Sequence, residues 1–271
     1  MIYVTKMNLL SGGSFMIIKL DNTYHSKVME YLRKEPEFNL FIIGDIEKYG
    51  YDNYFLSIWA GINKRGNIEG ILLKYFEFLI FYSYEKFEVS EFARFINRLD
   101  YSEISGKAEK LEKLASSLNL EKKRVVNFCK LDNKSKFKSD SRNIKVKKIR
   151  FGNINKVVKL YDVIEEFENT TADSIKQGLK SGRGYCIEIN RQVVAMAKST
   201  CENKTHAMIV GVGTHPSYRN KGYATKCIIK ICKELLDENK IPCLFYDNKE
   251  AGKIYMKLGF KELGKWSIYY K

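Results

Sequence analysis

Apolar and polar residues in the second half of the chain recur with periods that predict a regular succession of strands and helices. Alternating apolar and basic residues at 144–149 predict an exposed strand, and apolar residues three or four positions apart at 223–238 predict an amphipathic helix. The predicted order is strand 144–149, helices 154–166 and 171–180, strands 184–189, 193–200 and 207–214, helix 223–238, strand 243–246, helix 250–258, and strands 260–263 and 266–270.

The first half of the chain has nearly the same rhythm. The predicted order is strand 16–20, helical residues up to 48, strands 54–60, 68–75 and 78–83, helix 89–98, strand 102–106, helix 107–117 and strand 124–131. Residues 132–142 are polar and basic without apolar periodicity, which is typical of a linker. We therefore expect two units of similar fold, at 16–131 and at 143–271.

The most specific chemical signal is the segment 219–224, which reads Arg-Asn-Lys-Gly-Tyr-Ala. It follows the predicted strand 207–214 and a His-Pro turn, and it opens the predicted helix 223–238. The first turn of a helix carries unpaired backbone N–H groups and a partial positive charge, so anions bind there. Gly222 lets the backbone approach a ligand closely, while Arg219 and Lys221 add positive charge. The segment therefore predicts a phosphate-binding loop.

Two further motifs follow this loop at fixed spacing. The positions that carry the whole pattern are Arg219, Gly222 and Ala224, then Asn248, Ala251 and Tyr255, then Leu258, Gly259 and Phe260. In this order they resemble the GNAT superfamily of N-acetyltransferases, whose pattern is [QR]-x-x-G-x-[GA], N-x-x-A-x-x-x-Y and L-G-F. The resemblance covers residues 143–271 and implies the GNAT acyl-CoA N-acyltransferase fold, which is an α+β fold with α/β/α layers.

The first half lacks the phosphate loop. After the predicted strand 78–83 the chain reads Tyr-Glu-Lys-Phe-Glu at 84–88, with two acidic residues and no glycine. A turn of this composition should not hold a pyrophosphate. We therefore interpret the first half as a degenerate, non-binding copy of the fold, an arrangement that resembles the tandem predicted acetyltransferases of Gram-positive bacteria.

The GNAT resemblance implies that acetyl-CoA is the cosubstrate and lies against the strand that ends at Thr214. Val212 and Thr214 would offer backbone groups to the pantetheine arm, and Gly211 and Gly213 indicate a bulge or a close backbone approach. The residues expected to bind the cofactor are Val212, Gly213, Thr214, Arg219, Asn220, Lys221, Gly222, Tyr223, Ala224, Thr225 and Asn248. Asn248 is equally suited to capping the next helix. No metal is expected.

The resemblance also indicates catalytic candidates. Tyr255 is the candidate general acid, because a phenol near the sulfur can protonate the thiolate that leaves. The position where many relatives carry a glutamate base is Met208, which cannot accept a proton. His206, two residues earlier on the same strand face, and Glu166, with its neighbours Glu165 and Glu168, are the alternatives. A relay of water molecules could replace a dedicated base.

Composition limits the class of protein. The 271 residues, 45% of them hydrophobic, can bury a substantial core, and no apolar run approaches the roughly 20 residues that span a bilayer. The first ten residues lack the pattern of a secretory signal. The six cysteines show no metal-ligand spacing and are expected to be reduced, mostly buried thiols of a cytoplasmic protein.

The net charge of +15 is unevenly distributed, with +4 in residues 1–142 and +11 in residues 143–271. The excess lies in the half with the phosphate loop, as expected for a ligand that carries several phosphates. An overall abundance of lysine, as AT-rich coding would give, explains the charge equally well. Because no nucleic-acid-binding motif is present, we do not expect a nucleic-acid partner.

These observations predict a bacterial acetyltransferase that moves an acetyl group from acetyl-CoA to an amine by direct attack in a ternary complex. The acceptor would be a small-molecule amine, or a lysine or N-terminal amine. One alternative is a CoA-binding sensor or interaction module with little turnover, which the methionine at position 208 favours. Another is acetylation of a macromolecule, a protein or tRNA, which the basic charge favours.

The first fifteen residues are expected to be a non-native or untranslated leader. Gly12 and Gly13 stand a few codons before Met16, and two consecutive GGN codons resemble a bacterial ribosome-binding site. Translation would then begin at Met16. An intact mass of the native protein that includes residues 1–15 would contradict this hypothesis.

Overall fold

The computed structural model describes residues 15–137, 144–164, 167 and 171–271. Most of the leader, at 1–14, and part of the expected linker, at 138–142, lie outside these ranges. Among the described residues, twelve strands form one sheet, and eight α-helices cover its two faces. No helix within these ranges is long and apolar enough to cross a bilayer.

The two halves of the chain have the same order of elements, as the sequence predicted. The first half contains β1 (Met16–Lys19), α1 (His25–Leu32), α2 (Leu40–Tyr49), β2 (Leu56–Ile62), β3 (Ile68–Tyr75), β4 (Phe78–Tyr82), α3 (Val89–Ile96), β5 (Glu103–Lys107), α4 (Ala108–Ala115) and β6 (Lys122–Lys130). The second half contains β7 (Lys147–Lys148), α5 (Ile154–Tyr161), α6 (Ala172–Lys180), β8 (Gly184–Ile189), β9 (Gln192–Thr200), β10 (His206–Thr214), α7 (Tyr223–Asp237), β11 (Ile241–Tyr246), α8 (Lys249–Leu258) and β12 (Lys261–Tyr270).

The halves exchange their last strands. The order across the sheet is β1-β2-β3-β4-β5-β12-β6-β11-β10-β9-β8-β7. Strand β12 of the second half therefore lies between β5 and β6, and β6 of the first half lies between β12 and β11. All three pairings at this junction are antiparallel. Because each half supplies the strand that completes the other, the sheet is continuous across the molecule.

Helices pack on both faces of the sheet, which gives the predicted α/β/α layers. On β10, Ala207 and Ile209 belong to the core under α7 and α8, whereas Met208 belongs to the core under α1 and α2. Alternate residues of a strand point to opposite faces, so helices of the first half cover one face of β10 and helices of the second half cover the other.

Four predicted elements differ from the structure. The strands predicted at 260–263 and 266–270 are one strand, β12, which bulges between Glu262 and Gly264. Gly264, with φ of 154°, accommodates the extra residue without ending the ladder. Strand β7 has only two residues, and helix α5 ends at Tyr161, before the predicted end at 166.

Candidate functional site

The candidate site is an opening between two parallel strands. β10 pairs with β11 from His206–Ile241 to Ile209–Leu244, and the pairing stops there although β10 continues to Thr214. On its other side β10 bulges away from β9 between Val210 and Gly213. The carboxyl ends of β10 and β11 are therefore separated, and backbone groups of β10 beyond the bulge are available to a ligand.

The two glycines of β10 are required by close contacts rather than by the opening itself. Gly211 has φ of +59°, and a Cβ there would lie 2.4 Å from the Tyr161 hydroxyl. A Cβ on Gly213 would lie 2.8 Å from Ile164 and 2.9 Å from Phe167. The end of α5 and the residues after it therefore press directly on the bulge, as the glycine spacing predicted.

The predicted phosphate loop connects β10 to α7. Asn220 and Gly222 both have left-handed backbones, with φ of 63° and 74°, and Gly222 is the N-cap of α7. The first helical hydrogen bond runs from the Lys226 N–H to the Gly222 carbonyl at 3.2 Å. The N–H groups of Tyr223, Ala224 and Thr225 precede that bond, so they are directed at whatever occupies the loop.

Side chains around the loop set its shape and charge. His215 Nδ1 accepts a hydrogen bond from the Ser217 N–H at 3.3 Å, so this histidine shapes the turn. The Arg219 Nε donates to the Thr214 carbonyl at 3.4 Å, and the Lys221 ammonium lies 5.2 Å from the centroid of the Tyr218 ring. Two cations next to a helix N-terminus produce a site that suits a polyphosphate.

Tyr255 lies on α8 and is 7% exposed. Its ring contacts those of Tyr246 and Phe260, with centroids 5.8 and 5.9 Å away. Burial raises the pKa of Tyr255 to about 12. The phenol therefore keeps its proton at neutral pH and can donate a hydrogen bond to a charged group beside it.

Asn248 is the N-cap of α8. Its side-chain oxygen accepts hydrogen bonds from the N–H groups of Glu250 and Ala251, at 2.9 and 3.3 Å. The capping role that the sequence offered as an alternative is therefore present, and the side-chain NH₂ remains a group that could contact a ligand.

Of the candidate bases, His206 lies within the described residues. His206 begins β10, three residues before the last pair with β11, and is 2% exposed. Its Nδ1 lies 2.8 Å from the Thr205 hydroxyl, its Nε2 is buried without a partner among the described residues, and burial lowers its pKa. Met208 is buried next to it. Glu166, like Glu165 and Glu168, lies outside the described residues.

Sequence reasoning missed two residues at the bulge. Lys198 on β9 lies opposite Val210, and its Cε would be 3.0 Å from a Cβ on Gly211. Its ammonium lies 5.8 Å from the centroid of the Tyr161 ring, and burial lowers the pKa of Lys198. A lysine inside the apolar run 192–200 was the available signal. The Lys198 side chain places a positive charge beside the backbone of the bulge.

The cysteines do not offer a nucleophile. Five of the six are buried, and all are free thiols. Burial raises the pKa of Cys129 to about 12 and that of Cys186 to about 11. These thiols stay protonated at neutral pH, and the thiolate is the reactive form.

The matching strands of the first half are closed. β4 pairs with β5 up to Phe81–Gly106, one residue before the end of both strands. A Cβ on Gly106 would lie 2.4 Å from the Phe81 carbonyl oxygen, which shows how closely the strands approach. Within residues 15–137 there is therefore no slot between β4 and β5 comparable to the opening between β10 and β11.

Comparison with known proteins adds the family. A family model described as GNAT acetyltransferase matches residues 58–269, so the match extends well into the first half. A GCN5-related N-acetyltransferase from Sphaerobacter thermophilus is similar with a TM-score of 0.64 and 9% identity, covering 95% of each chain. A tandem GNAT protein from the clavulanic acid biosynthesis pathway has a TM-score of 0.61 and 11% identity, covering 95% of this chain and 98% of that one.

A GCN5-related N-acetyltransferase-like protein from Streptococcus suis has a TM-score of 0.60 and 15% identity, covering 92% of this chain and 99% of that one. At these identities the likeness shows a shared fold. No curated protein matches the chain. The family match itself covers most of the chain and includes the loop, the opening and Tyr255. The chain therefore belongs to the GNAT acetyltransferase family.

Proposed function

We propose that this protein is an N-acetyltransferase that moves the acetyl group of acetyl-CoA to an amine while both reactants are bound. Membership of the GNAT acetyltransferase family implies acetyl-CoA-dependent transfer. The observation that carries the proposal is that β10 and β11 separate immediately beside the phosphate loop of α7. One ligand with a pyrophosphate in the loop and a thioester in the opening fits this arrangement.

In the proposed reaction, the amine nitrogen attacks the thioester carbonyl carbon. The N–C bond forms, the C–S bond breaks, and the amine loses a proton. The backbone N–H of Val212, within the bulge, stabilises the negative charge that develops on the carbonyl oxygen. Tyr255 donates its proton to the departing thiolate, and the proton released by the amine restores the phenol through water. Holding both reactants in place supplies much of the rate.

The amine must be neutral to attack. We place Lys198 as the residue that favours this form, because a nearby positive charge lowers the pKa of a bound amine. His206 stays a candidate proton acceptor. Its lowered pKa keeps the imidazole neutral at pH 7, and its Nε2 has no partner among the described residues. A His206→Gln variant that retains the pH profile of the wild type would remove it from the mechanism.

The acceptor in this proposal is a small-molecule amine, or the lysine or N-terminal amine of a protein. We place the reaction in the bacterial cytoplasm, because free cysteines suit a reducing compartment. A sensor that binds acetyl-CoA without turnover is the second candidate. The observation that favours it is buried Met208, where many relatives carry a carboxylate.

Release of free thiol from acetyl-CoA tests the proposal. The assay would use a panel of polyamines, amino sugars, amino acids and peptides. We expect amine-dependent thiol release by the wild type and its loss in Gly222→Asp. The sensor predicts acetyl-CoA binding that Gly222→Asp abolishes, with no thiol release for any amine.

A further inference from the structure

A cavity of the first half lies at the carboxyl end of β4, outside the site described above. Its volume is about 870 Å³, which is within the range of pockets that bind nucleotide-sized ligands. It is lined by α1, the β2–β3 hairpin, the segment 84–86 and α4. Five lysines face it: Lys27, Lys34, Lys86, Lys110 and Lys113.

The positive charge of this cavity is only partly neutralised. Three carboxylates also line it, those of Glu30, Glu69 and Glu85. Among the described residues no carboxylate forms an ion pair with Lys34 or Lys86. Five ammonium groups against three carboxylates leave this concave surface with a net positive charge, which attracts anions from solution.

Lys113, like Lys34 and Lys86, forms no ion pair with a described carboxylate. Lys110, which is 12% exposed, donates to the Glu85 carbonyl at 2.7 Å and forms an ion pair with the exposed Glu109 at 3.7 Å. The Lys34 ammonium lies 5.3 and 5.0 Å from the ring centroids of Tyr31 and Tyr84. The ring contacts hold the Lys34 ammonium at the cavity without neutralising its charge.

The wall of the cavity is held rigidly. The Tyr31 hydroxyl donates to the Glu69 carbonyl at 2.8 Å and accepts from the Tyr84 N–H at 3.0 Å. The buried Ser83 hydroxyl donates to the same carbonyl at 2.8 Å. These bonds tie α1, β3 and the segment after β4 together, so the lysines project from a fixed frame.

The cavity occupies the same topological place as the phosphate loop of the second half, since both lie after the fourth strand of their half. The chemistry differs, however. The segment 84–88 has no glycine, and β4 and β5 are closed up to Gly106. A long pantetheine arm has no slot there. Only a compact anion that is bound by side chains fits.

We propose that this cavity binds an oligophosphate anion through its lysine side chains. Lysine ammonium groups act as flexible point charges for phosphate oxygens. The rings of Tyr31 and Tyr84 add surfaces on which a nucleotide base can stack. The site is independent of acetyl transfer, so it stands or falls separately from the function proposed above.

Calorimetric titration of inorganic triphosphate into the full chain tests the proposal, with and without saturating acetyl-CoA. We expect one triphosphate site that persists when acetyl-CoA is present and weakens as salt increases. The double variant Lys34→Glu/Lys113→Glu should weaken it at least about tenfold. The matched control, Lys148→Glu/Lys233→Glu, changes the same charge at exposed lysines elsewhere and should bind like the wild type.

Three results would overturn the proposal: no triphosphate binding at millimolar concentration, complete competition by acetyl-CoA, or equal weakening in the control variant. If the double variant does not fold, as judged by circular dichroism, Lys86→Glu replaces it, since Lys86 is exposed. A parallel titration with ATP distinguishes a nucleotide ligand from a bare phosphate chain. Tighter binding of ATP than of triphosphate indicates a nucleotide, and equal binding indicates recognition of the phosphate chain alone.

Discussion

Replacing Gly211 with alanine should destabilise the protein, because two costs coincide at this position. The φ of +59° costs an L side chain about 1–2 kcal/mol. The added Cβ would also lie 2.4 Å from the Tyr161 hydroxyl and 3.0 Å from the Lys198 Cε. Overpacking of this kind typically costs ~1–3 kcal/mol. We therefore expect the free energy of unfolding to fall by about 2–5 kcal/mol.

A double-mutant cycle separates the two costs. Tyr161→Phe removes the hydroxyl that the new Cβ would meet, and the flexible Lys198 side chain can move away from it. In that background Gly211→Ala should therefore cost chiefly the about 1–2 kcal/mol of backbone strain. Urea unfolding of the four proteins gives the coupling between the two positions. Gly152→Ala is the control, because a Cβ at Gly152 meets nothing within 4 Å. It should change stability by less than about 0.5 kcal/mol.

The same cycle tests the role of the bulge in catalysis. Displacing β10 at Gly211 would move the Val212 N–H, and losing one such donor typically lowers kcat by about 10²–10³. An equal loss of stability for Gly211→Ala with and without the Tyr161 hydroxyl would refute the packing argument. Unchanged kcat in a folded variant would refute the assigned role of the bulge.

Three further predictions address other parts of the structure. Tyr255→Phe should lower kcat by about 10²-fold or more while calorimetry finds unchanged acetyl-CoA affinity; equal loss of both would contradict the role of general acid. Arg183→Met should destabilise the protein at pH 7, because Arg183 lowers the pKa of Glu238 to about 2. The difference in unfolding free energy between this variant and the wild type should shrink as pH falls from about 4.5 toward about 2, where Glu238 becomes protonated in the folded protein. Cutting the chain within 138–143 should leave two fragments that co-purify, since β6 and β12 are exchanged; fragments that separate as folded monomers would contradict the exchange.

The sequence predicted the order of elements because apolar periodicity reports which residues are buried, and burial is local to each strand or helix. It did not predict the exchange of β6 and β12. Either strand could pair with its own half or with the other, and the periodicity is identical in both cases. The bulge that joins two predicted strands into β12 depends on the φ of Gly264, which no hydrophobic pattern records.

The phosphate loop was predictable because glycine, basic residues and a helix start are adjacent in sequence. Lys198 and Tyr161 were not, because β9 and the end of α5 meet only in the folded protein. The lysine cavity was missed for the same reason, since its charges come from α1, α4 and the segment after β4. For His206, the sequence predicted the face of the strand on which it lies. It did not predict that helices of the first half cover this face and bury the side chain.

Calorimetric titration of acetyl-CoA into the wild type and two glycine variants tests whether the loop before α7 holds a single cofactor site. Gly222→Asp places a negative charge at the left-handed N-cap of α7. Gly50→Asp places the same side chain at another glycine of positive φ, with nothing within 4 Å of its Cβ. We predict one acetyl-CoA site per chain in the wild type and in Gly50→Asp, and none in Gly222→Asp. Two sites, or binding that survives Gly222→Asp in the folded protein, would contradict it.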